Sequence, residues 1–247
     1  MAEQQTDLNK VLKQHLEMES FFVGDFSIKG PEELFPGISL DPNTQQEASD
    51  MPQSLDTIAA SVRSCRKCEI SSSRLNAVPG QGNPKARLMF VGEAPGADED
   101  KQGLAFIGRA GKLLTEIIGA MGLSRDQVFI GNILKCRPPE NRDPKLDEIN
   151  HCWPYLKQQL ETIQPEIIVA LGAHAARTLL DTKEAIGKLR GRFHEYKFSD
   201  DLPPAKLMPT YHPAYLLRNY SVDNRRRVWE DMQKVLKELD LPIPKKK

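Results

Sequence analysis

Residues 88–100 read LMFVGEAPGADED, and this stretch decides the fold. Residues 88–91 are an apolar run of the kind that fills a parallel strand buried on both faces. The run stops at Gly92. Glu93-Ala94-Pro95-Gly96 then makes a tight turn that continues neither a strand nor a helix. Acids follow at Asp98, Glu99 and Asp100. In open α/β sheets, ligands bind where loops leave the carboxyl ends of the strands. A carboxylate fixed on such a turn is therefore a site candidate. An ordinary turn with solvated acids has the same local sequence, so the decision falls to the rest of the chain.

Working outward, apolar runs compatible with strands recur at 128–131, 167–171 and 207–210. Helical patterns lie between them. Residues 111–121 carry Leu113, Leu114, Ile117 and Ile118, and 146–163 carry Ile149, Trp153, Leu156 and Leu160. Further helices are expected at 173–180 and 225–239, and Ser54 is placed to cap a helix over 55–64. Strands alternating with helices predict an α/β fold, a parallel sheet covered on both faces. If the strands are parallel, their ends at Glu93, Asn132, Gly172 and His212 share one rim.

The chain has 247 residues, with 39% hydrophobic and 28% charged, which suits one α/β domain with a tail. No apolar run approaches the roughly 20 residues of a membrane span. The N-terminus, MAEQQTDLNK, lacks the basic start and apolar core of a signal peptide. We expect a cytoplasmic protein with no membrane role. The net charge of zero conceals an asymmetry: residues 1–54 carry three bases and ten acids, a net of −7, and the remainder carries +7. A basic body fits a polyanionic partner, though proteins that bind no nucleic acid also reach this charge.

Residues 1–54 read as an acidic, partly ordered extension, and 55–247 as the functional domain. Leu8, Val11, Leu12 and Leu16 make an apolar stripe that would dock on the body or on a protein partner. Pro31, Pro36, Pro42 and Pro52 interrupt the stretch that follows, as in a linker. Gly80-Gln81-Gly82 is a fragment of a phosphate-binding loop, incomplete and ahead of its strand. It gives little support to a hydrolase of free nucleotides.

Cys65 and Cys68 form a C-x2-C pair, while Cys136 and Cys152 lie far apart and meet it only by folding. Four thiolates suit tetrahedral zinc or an iron–sulfur cluster, and spacing alone does not choose between them. At the next strand end the chain reads NILKCRPPENRDP from Asn132. An asparagine amide offers both a donor and an acceptor, which is what reading the edge of a nucleobase requires. At the last strand end, Pro213 restricts His212 to extended geometry and so fixes where its imidazole points.

GEAPGADED, LAFIGRAG, NILKCRPPENRDP, HPAYLL and the cysteine spacing together resemble the iron–sulfur uracil-DNA glycosylases, family four of their superfamily. The resemblance covers roughly residues 55–239. It implies a four-stranded parallel sheet between helices and a 4Fe-4S cluster on Cys65, Cys68, Cys136 and Cys152. It implies hydrolysis of the N-glycosidic bond of deoxyuridine in DNA, leaving an abasic site. By the same resemblance Glu93 and Ala94 belong to the catalytic turn, and Phe106 stacks on the flipped uracil. Asn132 reads the base edge, Glu99 lies near C5 with Asn141 in support, and His212 donates to O2. A related branch that cross-links to uracil-DNA carries a basic insertion in the region after the Asn strand. RPPENRDP is uninterrupted, so that activity is not expected. Tyr215, Leu216 and Leu217 are candidates to wedge into the DNA. Arg74, Lys85, Arg218, Arg225, Arg226 and Arg227 are candidate phosphate contacts. We expect a monomer acting on uracil-containing DNA, single- or double-stranded. The alternative is a metal-stabilised module that binds uracil-containing or abasic DNA without cutting it.

Overall fold

The computed structural model describes residues 54–219 and 221–244. The expectations for the acidic extension before Ser54 lie outside the described residues. Among the described residues, no helix is long and apolar enough to cross a membrane.

Six strands form one sheet: β1 Gln81–Gly82, β2 Leu88–Gly92, β3 Phe129–Asn132, β4 Ile167–Leu171, β5 His194–Tyr196 and β6 Ala205–Thr210. Their order is β1-β3-β2-β4-β6-β5. The four expected strands, β2, β3, β4 and β6, are mutually parallel. The two strands not expected pair antiparallel at the edges, β1 on β3 and β5 on β6. Gly80-Gln81-Gly82 is thus an edge strand and its approach, not a phosphate loop.

The helices are α1 Leu55–Ser64, α2 Ile70–Ser73, α3 Ala97–Gln102, α4 Arg109–Ala120, α5 Leu146–Ile163, α6 Ala173–Leu180, α7 Ile186–Leu189, α8 Pro213–Arg218 and α9 Val222–Glu238. Side chains alternate across a strand. Leu88 and Phe90 of β2 therefore face one core with Leu114 of α4 and Val235 of α9. Met89 and Val91 face the other with Leu156 of α5 and Ala176 of α6. The result is three layers, α/β/α. A third, smaller core joins α1 to α5 through Ile58, Val62, Leu134 and Tyr155, and the four cysteines belong to it.

Parallel pairing places the carboxyl ends of β2, β3, β4 and β6 on one rim. Beyond the strands the pairing continues for two bonds: Ile133 N–H donates to Gly92 C=O and Leu134 N–H to Glu93 C=O, both at 2.9 Å. These bonds hold Glu93 beside Asn132.

Candidate active site

The rim encloses a cleft of about 620 Å³ whose walls include Glu93, Ala94, Asn141, His174, His212 and Arg218. Each comes from a loop at a strand end or from the helix that follows.

Asn132 ends β3 and is 1% exposed. Among the described residues, its Oδ1 is the only buried side-chain nitrogen or oxygen without a hydrogen-bond partner. Such an atom is costly to bury unless something satisfies it. Gly92 explains how the amide reaches its position. A Cβ there would lie 2.5 Å from Asn132 Oδ1 and 2.5 Å from the Phe106 ring. The amide and the aromatic ring therefore share the space above a bare backbone.

His212 precedes the six-residue α8 as its N-cap, with Pro213 in the first turn. Its Nδ1 accepts the Ala214 N–H at 3.0 Å. Burial, with Arg218 nearby adding to it, pushes its pKa down to about 4. The ring is neutral at pH 7, and an accepting Nδ1 leaves the proton on Nε2. The imidazole stands 5.7 Å from the Phe106 ring, centroid to centroid.

Glu93 is half-buried, and burial raises its carboxyl above the usual range. His174 and Arg218 pull it back, and Asp143 pushes it up further. His174 Nε2 lies 3.9 Å from Glu93 Oε2 and 3.7 Å from Asp143 Oδ2. His174 is not among the strand-end residues that the sequence marks, of which the one at β4 is Gly172. Its signal was only its place in the first turn after a rim strand.

Other candidates are placed differently. Glu99 spends its carboxylate on backbone: Oε1 accepts from Ile107 and Gly108, each at 2.8 Å, and Oε2 from Gly96 at 3.1 Å. It braces the wall that carries Phe106. The same bond uses the Gly96 N–H, and Pro95 has none, so neither residue offers a free donor in the 93–96 turn. Asn141 is exposed at the cleft mouth, its Oδ1 accepting from Arg137 Nε at 2.8 Å. Leu216 is core, while Tyr215 and Leu217 pack only partly buried against it. Arg226 and Arg227 both bond Asp223.

The four cysteines converge without forming disulfides: Cys136 and Cys152 are buried, Cys65 and Cys68 half-buried. Burial pushes Cys152 up to about 11 and raises Cys136 as well. Burial thus favours the protonated thiol at Cys136 and Cys152, and a bound metal would displace that proton. Arg74 is committed to this group rather than to DNA. It donates to Cys136 Sγ at 2.9 Å and to the carbonyls of Arg63 and Cys65 at 2.7 and 2.9 Å. An undisulfided set of four sulfurs with a guanidinium donor fits a thiolate-bound metal centre.

The sequence profile of the uracil DNA glycosylase superfamily matches residues 79–233. A type-4 uracil-DNA glycosylase of Sulfurisphaera tokodaii is 48% identical over 75% of this chain and 84% of its own length. One of Saccharolobus solfataricus is 50% identical over 73% and 84%. A type-5 uracil-DNA glycosylase of Pyrobaculum aerophilum is 30% identical over 72% and 81%.

Proposed function

Since this chain belongs to the uracil DNA glycosylase superfamily, we propose that it excises uracil from DNA, leaving an abasic site for base excision repair. The observation that carries this reading is the grouping around Phe106: the orphaned Asn132 Oδ1, which shares the space over Gly92 with the ring, and the neutral His212 imidazole 5.7 Å from it.

A base within a duplex is out of reach, so uracil must be flipped out at a cost of a few kcal/mol. Stacking on Phe106 recovers about 1–3 kcal/mol. Asn132 Oδ1 accepts the uracil N3–H, a donor that cytosine lacks, and its amide N–H₂ meets O4. The C1′–N1 bond then breaks, and uracil leaves with the electron pair. The sugar gains positive charge, and negative charge spreads over N1 and O2. The Nε2–H of His212 donates to that O2, and a preorganised donor of this kind is worth about 3–4 kcal/mol. Because the ring is neutral, it stabilises the departing anion without giving up its proton.

A water attacks C1′ from the opposite face of the sugar. Its oxygen bonds to C1′ as the C1′–N1 bond breaks, and its proton passes to the Glu93 carboxylate and on to solvent, which in turn protonates the departed uracil anion. Ala94 has no group to position it. Glu93, with His174 and Arg218 favouring its charged form against burial, is the cleft carboxylate we assign to this task.

Cys65, Cys68, Cys136 and Cys152 hold a 4Fe-4S cluster in this reading. Among the described residues, the trio of His, Cys, Asp or Glu donors within 4.8 Å of one another is Glu93, Asp143 and His174, with no cysteine in it. One zinc at about 2.3 Å from each sulfur would bring the sulfurs to about 3.8 Å apart. The wider spread favours a larger cluster. Bound there, it ties the loop after α1 to α5.

The test is product analysis on an oligonucleotide with one uracil. Free uracil and an alkali-labile site at that position should appear in equal amounts. Tight binding without either product would favour the non-catalytic module.

A further inference from the structure

Phe106 has φ 51°, in the left-handed region that bulky side chains rarely enter. Such a conformation persists only where the surroundings over-determine it. Here they are charged side chains bonded to the loop's own backbone. On one side Glu99 Oε1 accepts the N–H groups of Ile107 and Gly108, each at 2.8 Å. On the other side lies Arg125, half-buried on the short turn before β3. Its Nη2 donates to Ala105 C=O at 2.7 Å and its Nη1 to Phe106 C=O at 3.1 Å. Nη1 also donates to Thr115 Oγ1 at 3.1 Å, which anchors the guanidinium to α4. Behind the loop, α4 presses backbone to backbone. A Cβ at Gly111 would lie 1.9 Å from the Phe106 carbonyl carbon.

We propose that Arg125 is a positioning residue for uracil excision. With Glu99 it clamps the backbone of residues 105–108 from both sides and holds the Phe106 ring where the flipped pyrimidine stacks. The inference rests on the glycosylase reading above. Arg125 acts through the loop and touches no base. Two adjacent carbonyls held by one planar fork is a geometry that arginine has and lysine lacks. Without the fork, the loop relaxes toward ordinary φ and the ring leaves its place. Each substrate then has to reorder the loop as it binds, and part of the stacking gain is lost.

The test is a double-mutant cycle on a single-uracil oligonucleotide. It compares wild type, Arg125→Ala, Arg125→Lys, Phe106→Ala and the double variants, with a thermal melt for each. Arg125→Ala should lower kcat/KM about tenfold or more, and Arg125→Lys by less, since the charge stays but the fork is lost. In the Phe106→Ala background, removing Arg125 should cost no more than about twofold, because the clamp acts only through the ring. Losses that multiply in the double variants would overturn the proposal, as would wild-type kinetics in Arg125→Ala. If Arg125→Ala fails to fold, the same cycle with Arg125→Lys decides. Activity in the wild type with multiplying losses sinks the clamp alone. No release by the wild type overturns the glycosylase reading, and the clamp with it.

Discussion

His212 and Phe106 stand 5.7 Å apart, ring centroid to ring centroid, with their planes tilted by 33°. In the proposed reaction, the donor for the departing base and the surface on which that base stacks are thus neighbours before any substrate arrives. One comes from the loop after β6 and the other from the loop after α3. The Phe106 ring in turn shares with Asn132 Oδ1 the space over Gly92, which carries no side chain.

That space yields the first prediction. Gly92→Ala places a methyl 2.5 Å from both Asn132 Oδ1 and the Phe106 ring. The variant should fold, because an alanine suits a buried strand, and should lose uracil release by at least about a hundredfold. Near-normal release from Gly92→Ala would mean that the base does not enter between these two groups.

The acid limb of the pH profile tests Glu93. Burial raises its pKa, His174 and Arg218 lower it, and Asp143 raises it. If the ionised carboxylate is needed, kcat/KM falls as pH drops through that raised value. His174→Ala removes a lowering influence and should move the limb to higher pH. Asp143→Asn removes a raising influence and should move it to lower pH. A limb that stays put in both variants would show that the charge on Glu93 is not used. His212 contributes no limb of its own until about pH 4. Its lowered pKa also affects stability. The fold prefers the neutral ring, so that contribution is complete above its ordinary value of 6.5 and is lost as pH falls toward about 4.

The loop that carries Asn141 and Asp143 depends on a buried acid. Glu148 accepts from Arg142 through both oxygens, at 2.9 and 2.5 Å, and from Lys145 N–H at 2.8 Å. Glu148→Gln should cost about 2 kcal/mol at pH 7, the worth of charge-assisted bonds. Its carboxyl lies below the usual range, chiefly because of Arg142. The stabilisation is therefore present above the ordinary pKa and lost as acid protonates the folded state. Chemical denaturation at pH 7 and pH 3 should show the gap between variant and wild type closing. An equal gap at both would assign the loss to packing instead.

The cysteine centre predicts a coupled loss. Cys65→Ser should lower visible absorbance and soluble yield together, because the third core packs around these sulfurs. A colourless variant that melts like the wild type would separate the centre from the fold.

Much of the architecture was readable because burial on both faces leaves a mark in sequence. The runs that became β2 and β4 are apolar at every position, and Leu146–Ile163 repeats on a helical period. The edge strands β1 and β5 left no such mark: they have two and three residues and are only partly covered. Asn132, the last residue of its strand, and His212, just beyond its own, were visible because each is of a residue type suited to the proposed reading or polarising of a base. Glu99 was visible as an acid but not as a brace, since its partners at Ile107 and Gly108 become neighbours only when the loop closes. Arg74 and His174 were obscured for the same reason. The first reads as a surface base until it meets Cys136, and the second as a helix residue until Glu93 and Asp143 meet beside it.

The most direct measurement is uracil release from a single-uracil oligonucleotide by the metal-loaded wild type, beside Asn132→Ala and His212→Ala, with thymine and cytosine at the same position as controls. The account predicts release of uracil alone by the wild type, and losses of about a hundredfold or more in each variant. Release of cytosine or thymine at a comparable rate, or variants as active as the wild type, would contradict it.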